Sequence, residues 1–140
     1  MIILIAGSFS KVFSQDIQLL LHTQESMDSC LNKKDYLGAI KYADFLINEA
    51  PKNTDFHAWA YFAKVKAQIE LGDYRNVIIN TTKALTLETE VALMIRQPDL
   101  PELIEKMKSI NYLIRGMAKE SIGLIESAKL DYFKAKENRQ

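Results

Sequence analysis

Apolar residues recur along most of this chain at steps of three and four, the period that lines one face of an α-helix. Read from that period and from the breakers between runs, helices are expected over residues 16–32, 36–49, 55–71, 74–87, 102–122 and 124–138. The pattern repeats. Ala39, Val77 and Ala128 each stand five residues after Lys34, Gly72 and Gly123, the turn residues that separate two amphipathic stretches. The helix after the first turn carries Ala39, Ile40, Ala43, Leu46 and Ile47 before Pro51 ends it. The helix after the second carries Val77, Ile78, Thr81, Ala84 and Leu85. The third unit places Tyr112, Gly116, Gly123, Ala128, Tyr132 and Ala135 in related positions. A single two-helix hairpin cannot cover its own apolar face, so such units stack, and small residues at matched positions let the helices approach closely.

These segments, with Lys34-Asp35-Tyr36 and Gly72-Asp73-Tyr74 opening the second helices and Pro51 closing one of them, resemble the tetratricopeptide repeat (TPR) family. The resemblance extends over about residues 16–140. It implies an all-α fold, a right-handed α-α superhelix of about three irregular TPR-like helix-turn-helix units, acting as a non-catalytic scaffold for protein binding. Ala39 and Val77 are 38 residues apart and Val77 and Ala128 are 51 apart, against roughly 34 in the family repeat. Insertions are therefore expected after the first and second units. The second comprises residues 88–100, whose Val91, Leu93, Met94 and Ile95 are too apolar for water and are expected to extend the fourth helix or form a short extra one, packing across an open face.

In the family the binding surface is the inner face formed by the first helix of each unit. The resemblance assigns to it Leu21, Gln24, Glu25 and Asp28, then Trp59, Phe62, Ala63 and Lys66, then Ile110, Leu113, Ile114 and Met117. Each set falls on one helical face, giving a groove acidic at one end and apolar at the other. The family's carboxylate clamp is not expected, because Gln24, Asp28, Ala63, Ile110 and Ile114 hold its positions and offer no cation. A helical or extended apolar peptide suits Trp59, Phe62 and Met117. The alternative is a structural subunit or spacer of a cell-envelope assembly with the groove filled internally; a small apolar ligand is a third reading.

On the fifth helix Leu103, Met107, Ile110, Ile114, Met117 and Ser121 form a continuous seam, expected as internal core or as a homodimer contact. At the C-terminal end Leu124, Ile125, Leu130 and Phe133 lack a capping helix, with Lys129, Asp131, Lys134 and Lys136 as partial polar cover. A homo-oligomer through the C-terminal helices, or a partner there, is the expectation.

Composition narrows the function further. Eighteen basic and eighteen acidic residues balance, which disfavours nucleic acid and anionic membrane as partners. His22 and His57 stand apart from any ligand-spaced partner, and no HExxH, CxxC or phosphate-cradling glycine loop occurs, so no metal, cofactor or catalysis is expected. His57 beside Trp59 reads as a surface or packing residue, and Cys30, the single cysteine, as a buried small apolar one. Residues 1–15 carry the apolar run Ile2–Ala6, which resembles either an export signal ending near Gln15 or an ordinary packed segment, and which is too short to cross a membrane. Localisation is left between an exported, periplasmic or envelope-associated protein and a cytoplasmic one.

Overall fold

A computed structural model describes the backbone of residues 7–51, 55–94 and 100–137, and the side chains of 16–51, 55–87, 102 and 105–137. The described chain is all-α. Six helices follow one another: α1 (Gly7–Asn32), α2 (Tyr36–Glu49), α3 (Asp55–Glu70), α4 (Tyr74–Met94), α5 (Leu100–Ser121) and α6 (Ile125–Glu137).

Two boundaries move relative to the sequence expectation. Helix α1 begins at Gly7 rather than residue 16, and α4 continues through the insertion to Met94 rather than stopping at Leu87. Neither extension contains a Pro or Gly inside its helix to halt propagation. The packing expected of Val91, Leu93, Met94 and Ile95, and the export reading of Ile2–Ala6, lie outside the described residues. Among the described residues no helix is long and apolar enough to cross a membrane.

The three intra-hairpin turns are built alike. Lys34, Gly72 and Gly123 have φ of 62°, 72° and 87°, the left-handed region that ends a helix. In each turn the amide of that residue donates to the carbonyl three back, at Leu31, Ile69 and Glu120, and the next amide donates to the carbonyl five back, at Cys30, Gln68 and Lys119. This is the Schellman arrangement, which satisfies carbonyls a helix end leaves open. The residue that closes the turn also starts the following helix: Asp35, Asp73 and Leu124 accept from the amides of Ala39, Val77 and Ala128. Asp35 adds a side-chain cap on the Gly38 amide at 3.0 Å, and Asp73 one on Asn76 at 3.4 Å. Ala39, Val77 and Ala128, the residues that set the repeat in sequence, are all buried.

Consecutive helices pack on one another throughout, and α1 also meets α3. The core is correspondingly rich in alanine. Leu20, Met27, Ala43, Leu46, Ala60 and Ala63 join α1, α2 and α3. A second cluster, Val65, Val77 and Ala118, joins α3, α4 and α5, with Ile78 and Ile114 against it. At the joint between the first two hairpins Ala50 is extended (φ −74°, ψ 149°), as Pro51 after it requires. His57 is buried and shares a 2.9 Å hydrogen bond with the Ala50 carbonyl through Nε2, so of its two expected places, surface or packing, it takes the second.

The third hairpin is held by charge as well as packing. Asp131 on α6 is almost fully buried, which corrects its expected place in the outer polar cover. It accepts from Arg115 at 2.7 and 2.9 Å and from Lys119 at 2.8 Å, both on α5. Arg115 also donates to the Thr82 hydroxyl of α4 at 3.0 Å. Burial alone would raise the Asp131 carboxyl; the hydrogen bonds and charges of Arg115 and Lys119 outweigh it and hold the group below its ordinary value. Close by, Gly116 lets α6 approach, since a Cβ there would lie 2.7 Å from the Tyr132 ring. Tyr132 donates to Glu120 at 2.5 Å, a bond that, with some burial, pushes its hydroxyl up to about 12.

Candidate functional site

The first helices of the three hairpins, α1, α3 and α5, carry the residues assigned to the groove, and the structure sorts them. Trp59 and Phe62 stand together on α3, 42% and 48% exposed. Their rings stack with centroids 5.4 Å apart and planes 21° from parallel. The Trp59 indole donates to Asp28 on α1 at 2.8 Å. Asp28 is thus a bracket that fixes the indole, and a ring fixed on two sides presents a preorganised apolar surface. On α5, Ile110 and Met117 are 49% and 56% exposed, while Leu113 and Ile114 are half-buried. Lys66 is exposed and enters no ion pair among the described residues.

Ala63 departs from its assignment. It is fully buried against α1 and α2 and belongs to the core, because it lies one residue round the helix from the Phe62 face. The α5 seam departs in part: Ile114 packs against the second core cluster, but Met107 is half-buried and Ile110, Met117 and Ser121 are exposed, while the side chain of Leu103 lies outside the described residues. The reason is visible in how the helices meet. Where α1 and α3 touch, α3 and α5 do not come within 8 Å of each other between Cα atoms among the described residues. Only α4 joins them, which leaves a V whose walls are α3 and α5 and whose floor is α4.

Two apolar clefts sit in that V. The first, about 100 Å³, lies between Phe62 of α3, Ala84 and Leu87 of α4, and Met107 and Ile110 of α5. The second, about 160 Å³, lies between Ile69 of α3, Val77 of α4, and Ile114 and Met117 of α5. The second cleft rests on the core cluster of Val65, Val77 and Ala118, of which Val77 and Ala118 line it directly. The family resemblance assigned Phe62, Ile110, Ile114 and Met117 to the groove; it missed Met107 and Ile69 in the walls and Ala84 and Leu87 in the floor, since nothing local shows that α3 and α5 stand apart.

Cys30 is half-buried rather than buried, and burial followed by the neighbouring Asp35 carboxylate raises its thiol above the usual value. Such a thiol is poorly nucleophilic. Among the described residues no three His, Cys, Asp or Glu side chains are grouped to hold a metal ion.

No family model matches the chain, and no curated protein and no solved structure shows significant similarity to it.

Proposed function

We propose that the protein is a TPR-like, non-catalytic interaction module that binds a segment of a partner protein on the face made by α1, α3 and α5. The observation that carries this reading is the exposed apolar surface of α3 and α5: the stacked Trp59 and Phe62, Ile110 across the first cleft from Phe62, and Met117 at the second cleft, each between 42% and 56% exposed. Apolar surface gathered at one place and rimmed by polar residues marks a contact site, and aromatic anchors of this kind dominate binding energy. Half-exposure of Trp59 and Phe62 favours this over the spacer reading, in which an internally filled groove would bury them.

The double substitution Trp59→Ala and Phe62→Ala tests it. Partner binding should weaken by about 2 kcal/mol or more, while thermal unfolding shows a stability loss of only about 1–2 kcal/mol, because each ring is already half in water. Unchanged partner capture together with a loss of several kcal/mol is the result that favours the spacer.

The outer face of α6 supports self-association at the other end of the array. Leu130 and Phe133 are 67% and 63% exposed, with Leu124 and Ile125 beside them. Sedimentation equilibrium should show a concentration-dependent dimer that Leu130→Glu with Phe133→Glu abolishes. A monomer at all concentrations counts against it.

A further inference from the structure

Resting on the reading of this face as a binding surface, we propose that the V between α3 and α5 receives one amphipathic α-helix of a partner, with two apolar anchors seven residues apart and an acidic side chain between them opposite Lys66.

The spacing comes from the two clefts. Moving from the first to the second advances about eight or nine residues along α3 and along α5, or about 12–13 Å at 1.5 Å per residue. The two walls agree because α3 and α5 both run antiparallel to α4. On a helix, positions i and i+7 share a face and lie about 10.5 Å apart, and side chains that splay outward into clefts each spanning about a helical turn cover the remainder. The clefts hold about 100 and 160 Å³. That is the scale of an apolar cavity of about 150 Å³ known to take benzene, so each suits one Leu, Met or Phe side chain.

Backbone chemistry selects a helix over an extended segment. An extended peptide also places i and i+4 on one face about 13 Å apart, but its amides and carbonyls need partners at every residue. The walls of the V are helices, whose own amides and carbonyls are already paired, and the cleft linings are mainly Phe, Leu, Ile, Met, Val and Ala. A helix brings its hydrogen bonds with it.

Charge selects the residue between the anchors. Lys66 lies on α3 between Phe62 of the first cleft and Ile69 of the second, is exposed, and has no ion-pair partner among the described residues. The other cations along this seam are engaged: Arg115 and Lys119 with Asp131, and Lys64 with Asp44. The rim therefore presents one cation to a bound helix midway between its anchors, complementary to Asp or Glu at i+3 or i+4.

Selection of a phage-displayed library of random 16-residue peptides on the intact protein tests this. The expected consensus is two large apolar residues seven apart with Asp or Glu between them. The synthetic consensus peptide should gain helical circular dichroism on binding, and Lys66→Glu should weaken it by roughly fivefold or more in fluorescence anisotropy. A peptide with Lys in place of the acid should recover that loss on the Lys66→Glu variant. Peptides that depend on Phe62 and Ile110, judged with Phe62→Ala plus Ile110→Ala, but show anchors four apart, contain proline, or ignore Lys66→Glu overturn this inference and leave the binding surface standing. Peptides indifferent to Phe62→Ala plus Ile110→Ala, or no binders at all, overturn both.

Discussion

Lys34 occupies a backbone conformation, φ 62°, that its two counterparts meet with glycine. A side chain there costs about 1 kcal/mol or more because Cβ crowds the following carbonyl. Lys34→Gly should therefore stabilise the protein by about 0.5–1 kcal/mol, and Gly72→Ala or Gly123→Ala should each destabilise it by about 1 kcal/mol. No atom lies within 4 Å of a Cβ added at Gly72 or Gly123, so the effect is of the backbone alone. Urea unfolding of the three single variants gives the signs, and a stabilising Gly72→Ala contradicts the argument. The second turn was legible in the chain because Gly72-Asp73-Tyr74 reports a left-handed residue, a cap and a helix start in sequence order, and the third through Gly123 between two amphipathic stretches. Lys34 was legible only through the Asp35-Tyr36 that follows it.

Helix α6 has a single neighbour, α5, and its buried face consists of Ala128, Asp131 and Ala135. Two alanines bury little area, so the Asp131 ion pairs carry much of the attachment. Asp131→Asn leaves Arg115 and Lys119 facing a neutral group and should cost about 3 kcal/mol at neutral pH. Its carboxyl is held below the ordinary value when folded. The contribution is therefore complete above the unfolded carboxylate value of about 3.9 and is lost as pH falls through the lower folded value. The gap between wild type and Asp131→Asn should close in acid, as thermal melts from pH 7 to pH 3 would register; a constant gap argues against the ion pairs. The sequence held half of this. Asp131 follows Ala128 by three and precedes Ala135 by four, which puts it on the alanine face; its partners sixteen and twelve residues back on another helix are set by tertiary packing and leave no local mark.

Across the molecule, packing is uneven in a way that follows connectivity. Helices α2 to α5 each have neighbours on both sides, and α2 and α3 also share the larger core cluster, whereas among the described residues α6 packs on α5 alone. In a linear array, opening free energies track the neighbours a unit has. Amide hydrogen exchange should be slowest in α2 and α3 and fastest in α6, and a uniform exchange profile contradicts a linear array. The six helices and their order were legible from apolar period and breakers. The opening between α3 and α5 was not, since it depends on how α4 holds two helices apart; of the α5 seam, Ile114 joins the core, and Met107, Ile110 and Met117 line the clefts.

The closing residue of each turn is also the cap of the next helix, since the carbonyls of Asp35, Asp73 and Leu124 accept its first helical hydrogen bond. The hairpin bends hold no spare link, so inserting even one amino acid there displaces a whole rod by about 100° of rotation and 1.5 Å of travel. A reporter or an additional hairpin spliced into this molecule therefore belongs outside those three bends.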